Sequence, residues 1–216
     1  MILLNNNTQL SKHLRTIYAG LYLIATALML INLSGCAVIA ISAAGGALVA
    51  HDKRSAQAML DDTQIEIHAS DILYGDQTLQ RKIHVNVTSY NRVVLLTGEI
   101  ISAELQQKVL EMVSNIDKVK QVHNELQIKN LASFSNRSGD TWLTSKVKTS
   151  MFATKDFDAN RIKVVSEADS VYLMGIVNRQ QGNLAAKIAS EVGGVRRVVT
   201  FFEYVEDEPT EKQGGS

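Results

Sequence analysis

Asp140-Thr-Trp-Leu-Thr-Ser-Lys-Val-Lys-Thr-Ser-Met-Phe152 decides the reading of the whole chain, because it is the second occurrence of a pattern. Asp62-Thr63-Gln64-Ile65 opens the first copy, and Asp140-Thr141-Trp142-Leu143 opens the second. Ile65, Ala69 and Leu73 recur at helical spacing, as do Leu143, Val147 and Met151, so each copy begins with a helix bearing one apolar stripe. Asp140 stands where an N-cap is expected.

The two copies stay in step beyond these helices. Lys82-Ile-His-Val-Asn-Val-Thr88 and Arg161-Ile-Lys-Val-Val165 alternate as strands do, and Val93-Val-Leu-Leu-Thr-Gly98 and Val171-Tyr-Leu-Met-Gly175 follow as second strands ending at glycine. A helix comes next, with Val109, Met112, Val113 and Ile116 on one face, matched by Ala185, Ile188, Ala189 and Val192. Val119-Lys-Gln-Val122 and Val195-Arg-Arg-Val198 lead into a last strand. The first two strands can pair as a hairpin, while the third is reached through a crossover helix. The expected fold class is therefore α+β: two tandem sandwiches of αββαβ order, each a three-stranded sheet with two helices on one face. Their expected extents are 62–129 and 140–205, separated by a Ser/Asn-rich linker at 130–139. A charged tail follows at 206–216 and reads as disordered.

The first 61 residues have a different grammar. Lys12, His13 and Arg15 precede an apolar run from Ile17 to Ile31, with no acidic residue before or within it. This is the order of a secretory signal. It ends in Leu33-Ser34-Gly35-Cys36, which holds the only cysteine of the 216 residues and resembles the lipobox of bacterial lipoproteins. Residues 1–35 are then a lipoprotein signal peptide, and Cys36 is the lipidated first residue of the mature chain. An uncleaved transmembrane helix is the alternative, since the apolar region continues through Ala50. Position 37 is Ala, not the Asp that by resemblance marks inner-membrane retention, so the expected address is the periplasmic face of the outer membrane. The Ala/Gly/Ser-rich stretch 36–61 forms a tether, and roughly 25 extended residues span at most about 80 Å.

Composition removes several function classes. The formal charge is zero, and cleavage at Cys36 leaves 20 basic against 22 acidic residues, which argues against a nucleic-acid partner. One cysteine excludes an intramolecular disulfide and a cysteine-based metal cluster. None of the common hydrolase, phosphate-binding or redox motifs occurs. His84 alternates with Ile83 and Val85, and His123 follows the Val119/Val122 pair, so both read as solvent-facing or packing histidines. No catalytic residue, metal or cofactor is expected, and the chain does not read as an enzyme.

The repeated unit, with its central Leu-x-Gly and a Gly-Val-x-x-Val-like entry to the last strand, resembles the BON domain. The first copy departs from that pattern, with Asp117-Lys118 where the second has Gly193-Gly194. A lipobox followed by two such units is similar to the dual-BON-domain outer-membrane lipoproteins of Gram-negative bacteria. That resemblance implies periplasmic binding of anionic phospholipid, enrichment at the division septum and support of envelope integrity.

The repeat also lets the two outer helix faces be compared. Opposite the core stripe, the second copy places Trp142, Ser145, Thr149 and Phe152, with Lys146 and Lys148 on the shoulders. The first copy has Gln64, Ile67, Asp71 and Tyr74 there. Tryptophan favours the membrane–water interface and lysine favours anionic headgroups, so these six residues are the candidate site for phosphatidylglycerol or cardiolipin. Two alternatives remain at this point: Trp142 packs on the first copy or on the last strand, or the same face binds an envelope protein partner.

Overall fold

A computed structural model describes residues 52–131 and 134–206, except for the side chains of 134–138. The signal peptide, Cys36 and most of both the tether and the tail lie outside the described residues. The first domain runs α1 (Ala56–Tyr74), α2 (Gln77–Gln80), β1 (Ile83–Tyr90), β2 (Val93–Ile100), α3 (Ala103–Ser114) and β3 (Gln121–Ile128). The second runs α4 (Phe134–Ala153), a 3-10 turn (Ala159–Arg161), β4 (Ile162–Glu167), β5 (Ser170–Val177), α5 (Arg179–Ser190) and β6 (Arg197–Tyr204). Each sheet has its second strand in the centre, paired antiparallel with the first and parallel with the third. This is the expected αββαβ order twice, with the single turn α2 added.

Both leading helices start earlier than expected. Ser55 accepts a hydrogen bond from the Ala58 amide and caps α1, and Ala56-Gln-Ala-Met-Leu60 are good helix formers, so residues 56–61 of the expected tether are helical. Helix α4 likewise runs through 134–139, residues expected in the linker, where no proline interrupts it.

Asp140 is therefore inside a helix and is not its N-cap. Its carboxylate accepts instead from the backbone amides of Ala168 and Asp169, the turn between β4 and β5. In the first domain Asp62 accepts from the Asn91 and Arg92 amides at 2.8 and 2.7 Å, the turn between β1 and β2. All four turn residues have positive φ, as a two-residue type I′ hairpin turn demands, and none of them is glycine. The recurring aspartate thus holds a strained turn closed in each copy.

Asp62 carries the heavier load. It is buried, accepts from Ser89 Oγ at 2.6 Å and pairs with Arg54 at 2.9 Å. Asp62→Ala is expected to destabilise the protein by about 3 kcal/mol, since it leaves the buried Ser89 hydroxyl and two half-buried turn amides without their acceptor, while Arg54 keeps Asp52 at 2.7 Å. Asp140→Ala loses two turn bonds from a half-buried site and is expected to cost about 1 kcal/mol. Urea denaturation of the two variants checks the order.

The departure at Asp117-Lys118 also has a use. Lys118 adopts φ 69°, the role that Gly194 fills at 108°, and its Nζ reaches Asp61 at 2.8 Å. Hydrogen bonds from Lys118 and Gln57, joined by Arg92, hold the Asp61 carboxyl at about 2. A carboxyl depressed below its unfolded value stabilises fully above that value and loses its contribution as pH falls through the folded one. Wild type should therefore lose stability between about pH 5 and pH 2, and Asp61→Asn should flatten that slope in urea titrations.

Within each domain the helices cover one sheet face. Ile65, Ala69 and Leu73 meet Val94, Leu96, Ile100, Val109 and Val113; Leu143, Val147 and Met151 meet Val171, Leu173, Ala185 and Ala189. The opposite sheet faces are not left to solvent. Tyr90 and Leu95 pack with Tyr172, Met174 and Ile176, which joins the two sheets back to back within one compact unit. The layers run helices, sheet, sheet, helices. Burial on both faces explains why β2 and β5 read as near-continuous apolar runs.

Candidate functional site

The outer face of α4 is built by the register of its own core stripe. Because Leu143, Val147 and Met151 point into the second domain, Trp142 and Phe152 point out and are 69% and 59% exposed. Ser145, Lys148 and Thr149 are also exposed between them. The two aromatics sit about 15 Å apart along the axis, enough for the helix to lie along a surface.

Two candidate residues behave differently from the rest. Lys146 is half-buried, and its Nζ donates to the Gly193 carbonyl, tying α4 to the turn that follows α5. Its ammonium therefore serves that turn as well as facing a shoulder. Ser145 Oγ donates to the Thr141 carbonyl at 3.0 Å, so its proton is spent within the helix. Lys148 keeps an exposed ammonium flanking the aromatics.

The corresponding face of α1 lacks these features. Gln64 and Asp71 are exposed there, with Ile67 the large apolar residue among them. Tyr74, expected on this face, instead turns inward: its hydroxyl accepts from the Val85 amide and donates to the Val85 carbonyl, each at 2.8 Å. The contrast between the copies is thus sharper than the helical wheel suggests. Among the described residues no helix is long and apolar enough to cross a membrane.

A second cluster lies between the sheets, where sequence reasoning expected no ligand chemistry. His84 stands directly across from Glu99 in the β1–β2 ladder, with Nδ1 3.1 Å from Oε2. Glu167, at the end of β4, comes in from the other sheet and accepts from Asn86 Nδ2 at 2.8 Å. Burial raises the Glu167 carboxyl above its usual range, and the nearby charges of Asp140 and Glu99 push it the same way against the Asn86 bond. The Asp140 carboxyl is raised by burial too, with Asp169 and Glu99 adding to the effect. His123, by contrast, stacks on Phe201 at 4.1 Å and is a packing residue as expected. The signal for the cluster was the alternation that puts His84 and Glu99 on one sheet face; Glu167 had no local signal.

Two αββαβ units, each with helices on one face of a mixed three-stranded sheet, define a tandem sandwich protein. The BON domain family matches this chain twice, at residues 61–130 and 139–206, so the chain belongs to the BON-domain family. It is 35% identical over 179 residues to Outer membrane lipoprotein DolP of Haemophilus influenzae, covering 82% of this chain and 92% of that protein. It is 28% identical over 155 residues to the 21 kDa hemolysin of Actinobacillus pleuropneumoniae, covering 72% of this chain and 80% of that one. Among solved structures, CdsD, a structural protein of the type III secretion system of Chlamydia trachomatis, is 12% identical with a TM-score of 0.29, covering 66% of this chain and 92% of that chain. That likeness is too distant to support any functional argument.

Proposed function

We propose that this chain is an outer-membrane lipoprotein, held at the periplasmic face through acylated Cys36, whose second BON domain docks on anionic phospholipid through the outer face of α4. Its contacts are Trp142, Lys148, Thr149 and Phe152, flanked by Ser145 and Lys146. The observation that carries this reading is the pair of exposed aromatics beside an exposed lysine on one helix, set against an equivalent helix without them. The name of the Haemophilus relative supports the address, and the lipobox-like Leu33-Ser34-Gly35-Cys36 supports the anchor. The docking role is non-enzymatic and serves outer-membrane integrity, with enrichment at the division septum as the setting in which lipid choice matters.

Magnitudes divide the work between anchor and face. Each buried acyl methylene contributes about 0.8 kcal/mol, so two or more chains on Cys36 keep the protein on the membrane. A lysine near an anionic surface adds only about 1 kcal/mol. The face therefore selects lipid and orients the domain; the anchor retains it. Unacylated protein beginning at residue 37 tests this separately from the anchor. It is expected to co-float with vesicles containing phosphatidylglycerol or cardiolipin and to remain unbound with purely zwitterionic vesicles. Equal recovery on both, or none on either, contradicts the reading.

A further inference from the structure

We propose that His84, Glu99 and Glu167 form a divalent-cation site, suited to zinc, that clasps the two BON domains together across their facing sheets. One ligating atom from each residue lies within 4.8 Å of the other two, among the described residues the only such grouping of histidine, cysteine and carboxylate side chains. His84 and Glu99 come from β1 and β2 of the first domain, and Glu167 from β4 of the second. A bound ion would therefore bridge the domains, not decorate one of them.

Three observations point to a cation. Glu99 is 2% exposed and Glu167 5%, so two carboxylates from different domains face one another out of water. Buried charge of one sign is costly unless it is compensated. The nearby Lys129 ammonium is at the rim and lies 3.5 Å from Glu99 Oε1, while Glu167 is met by the neutral amide of Asn86. Asp140 adds a third carboxyl to the surroundings and lines, with His84 and Glu167, a cavity of about 290 Å³ that offers an entry path. Finally, Thr97 lies on the same face of β2 as Glu99, two residues before it, and its buried hydroxyl has no hydrogen-bond partner among the described residues. A water ligand on the metal would give that hydroxyl a partner.

The donor set selects the metal. Calcium and magnesium favour all-oxygen shells, whereas one imidazole with two carboxylates suits zinc, with a fourth position left for water. Zinc bonds of about 2.0–2.2 Å at tetrahedral angles place neighbouring ligand atoms about 3.3–3.6 Å apart. His84 Nδ1 and Glu99 Oε2 stand near that spacing at 3.1 Å, and a zinc ion would take the place of the proton they share. Glu167 must close in from within 4.8 Å by turning its side chain.

The test uses the full chain in detergent micelles, stripped of metal with a chelator and titrated with zinc alone, calcium alone or magnesium alone by calorimetry. One zinc per chain is expected, with a rise in the thermal unfolding midpoint, and no binding of calcium or magnesium at the same concentrations. Glu167→Gln keeps an oxygen for Asn86 and removes the charge; it is expected to weaken zinc at least about 10-fold and abolish the midpoint rise. His84→Gln is the second variant and should weaken zinc similarly; it decides the matter should Glu167→Gln fail to fold. Absence of stoichiometric zinc binding overturns the proposal. So does zinc binding of unchanged strength in a folded variant, which would mean the ion sits on other histidines.

Discussion

Gly98→Ala is expected to remove about 4 kcal/mol or more of stability, most of what a domain of this size has to lose. Gly98 has φ 116°, a region that side chains with a Cβ rarely adopt, and a Cβ built there would stand 2.0 Å from the His84 carbonyl oxygen. Both obstacles are backbone, so no side chain can turn aside to relieve them. The strand β2 is central and buried on both faces, which leaves it no direction in which to retreat. The repeat supplies the control. Gly175 is the matching glycine of β5, and a Cβ there would meet the Arg161 carbonyl at 2.6 Å without the φ strain. Gly175→Ala is expected to cost about half as much. Urea denaturation of the two variants checks this; a Gly98→Ala protein within about 1 kcal/mol of wild type would contradict the account of the strand.

These glycines show how the repeated sequence carries the fold. Leu-x-Gly was expected to end each second strand, but β2 and β5 run on to Ile100 and Val177, and the glycine is there for a close backbone approach inside the strand. The apolar stripes of α1 and α4 were legible for a simpler cause: a helix facing one core has a fixed period, and Leu143, Val147 and Met151 keep it. Asp140 misled because an aspartate before an apolar helix pattern has two uses, and the hairpin turn it clasps lies almost thirty residues downstream. Neither Asn91-Arg92 nor Ala168-Asp169 contains the glycine that usually marks a two-residue turn. Had the first been read as such a turn, counting outward from it would have placed His84 opposite Glu99.

Glu167 could not have been added by that route. Its place beside His84 depends on which faces of the two sheets meet, a long-range outcome written in no single segment. The run Ser170–Val177 is buried throughout because its sheet is covered on both sides, where the sequence reading expected helices on one face alone. The outer face of α4 was the most legible part of the site because exposure follows directly from the core stripe. What the wheel missed there were bonds within the fold: the Lys146 tie to Gly193 and the inward turn of Tyr74.

The second large effect expected is at Trp142. Taking about 100 Å² of its ring out of water contributes about 2.5 kcal/mol. A glutamate in its place removes that term and adds repulsion from anionic headgroups of about 1 kcal/mol. Together these amount to a several-hundred-fold loss of partitioning. Because the side chain is 69% exposed, folding should be unaffected. Lys148→Glu reverses one exposed charge and should weaken binding less, with a dependence on salt that Trp142→Glu lacks in proportion.

Flotation of unacylated Trp142→Glu protein with phosphatidylglycerol vesicles, beside wild type and with circular dichroism as the fold control, addresses the central claim most directly. The account predicts that wild type rises with the vesicles and the variant stays at the bottom with an unchanged spectrum. A folded variant that still rises with the vesicles would show that α4 is not the docking face.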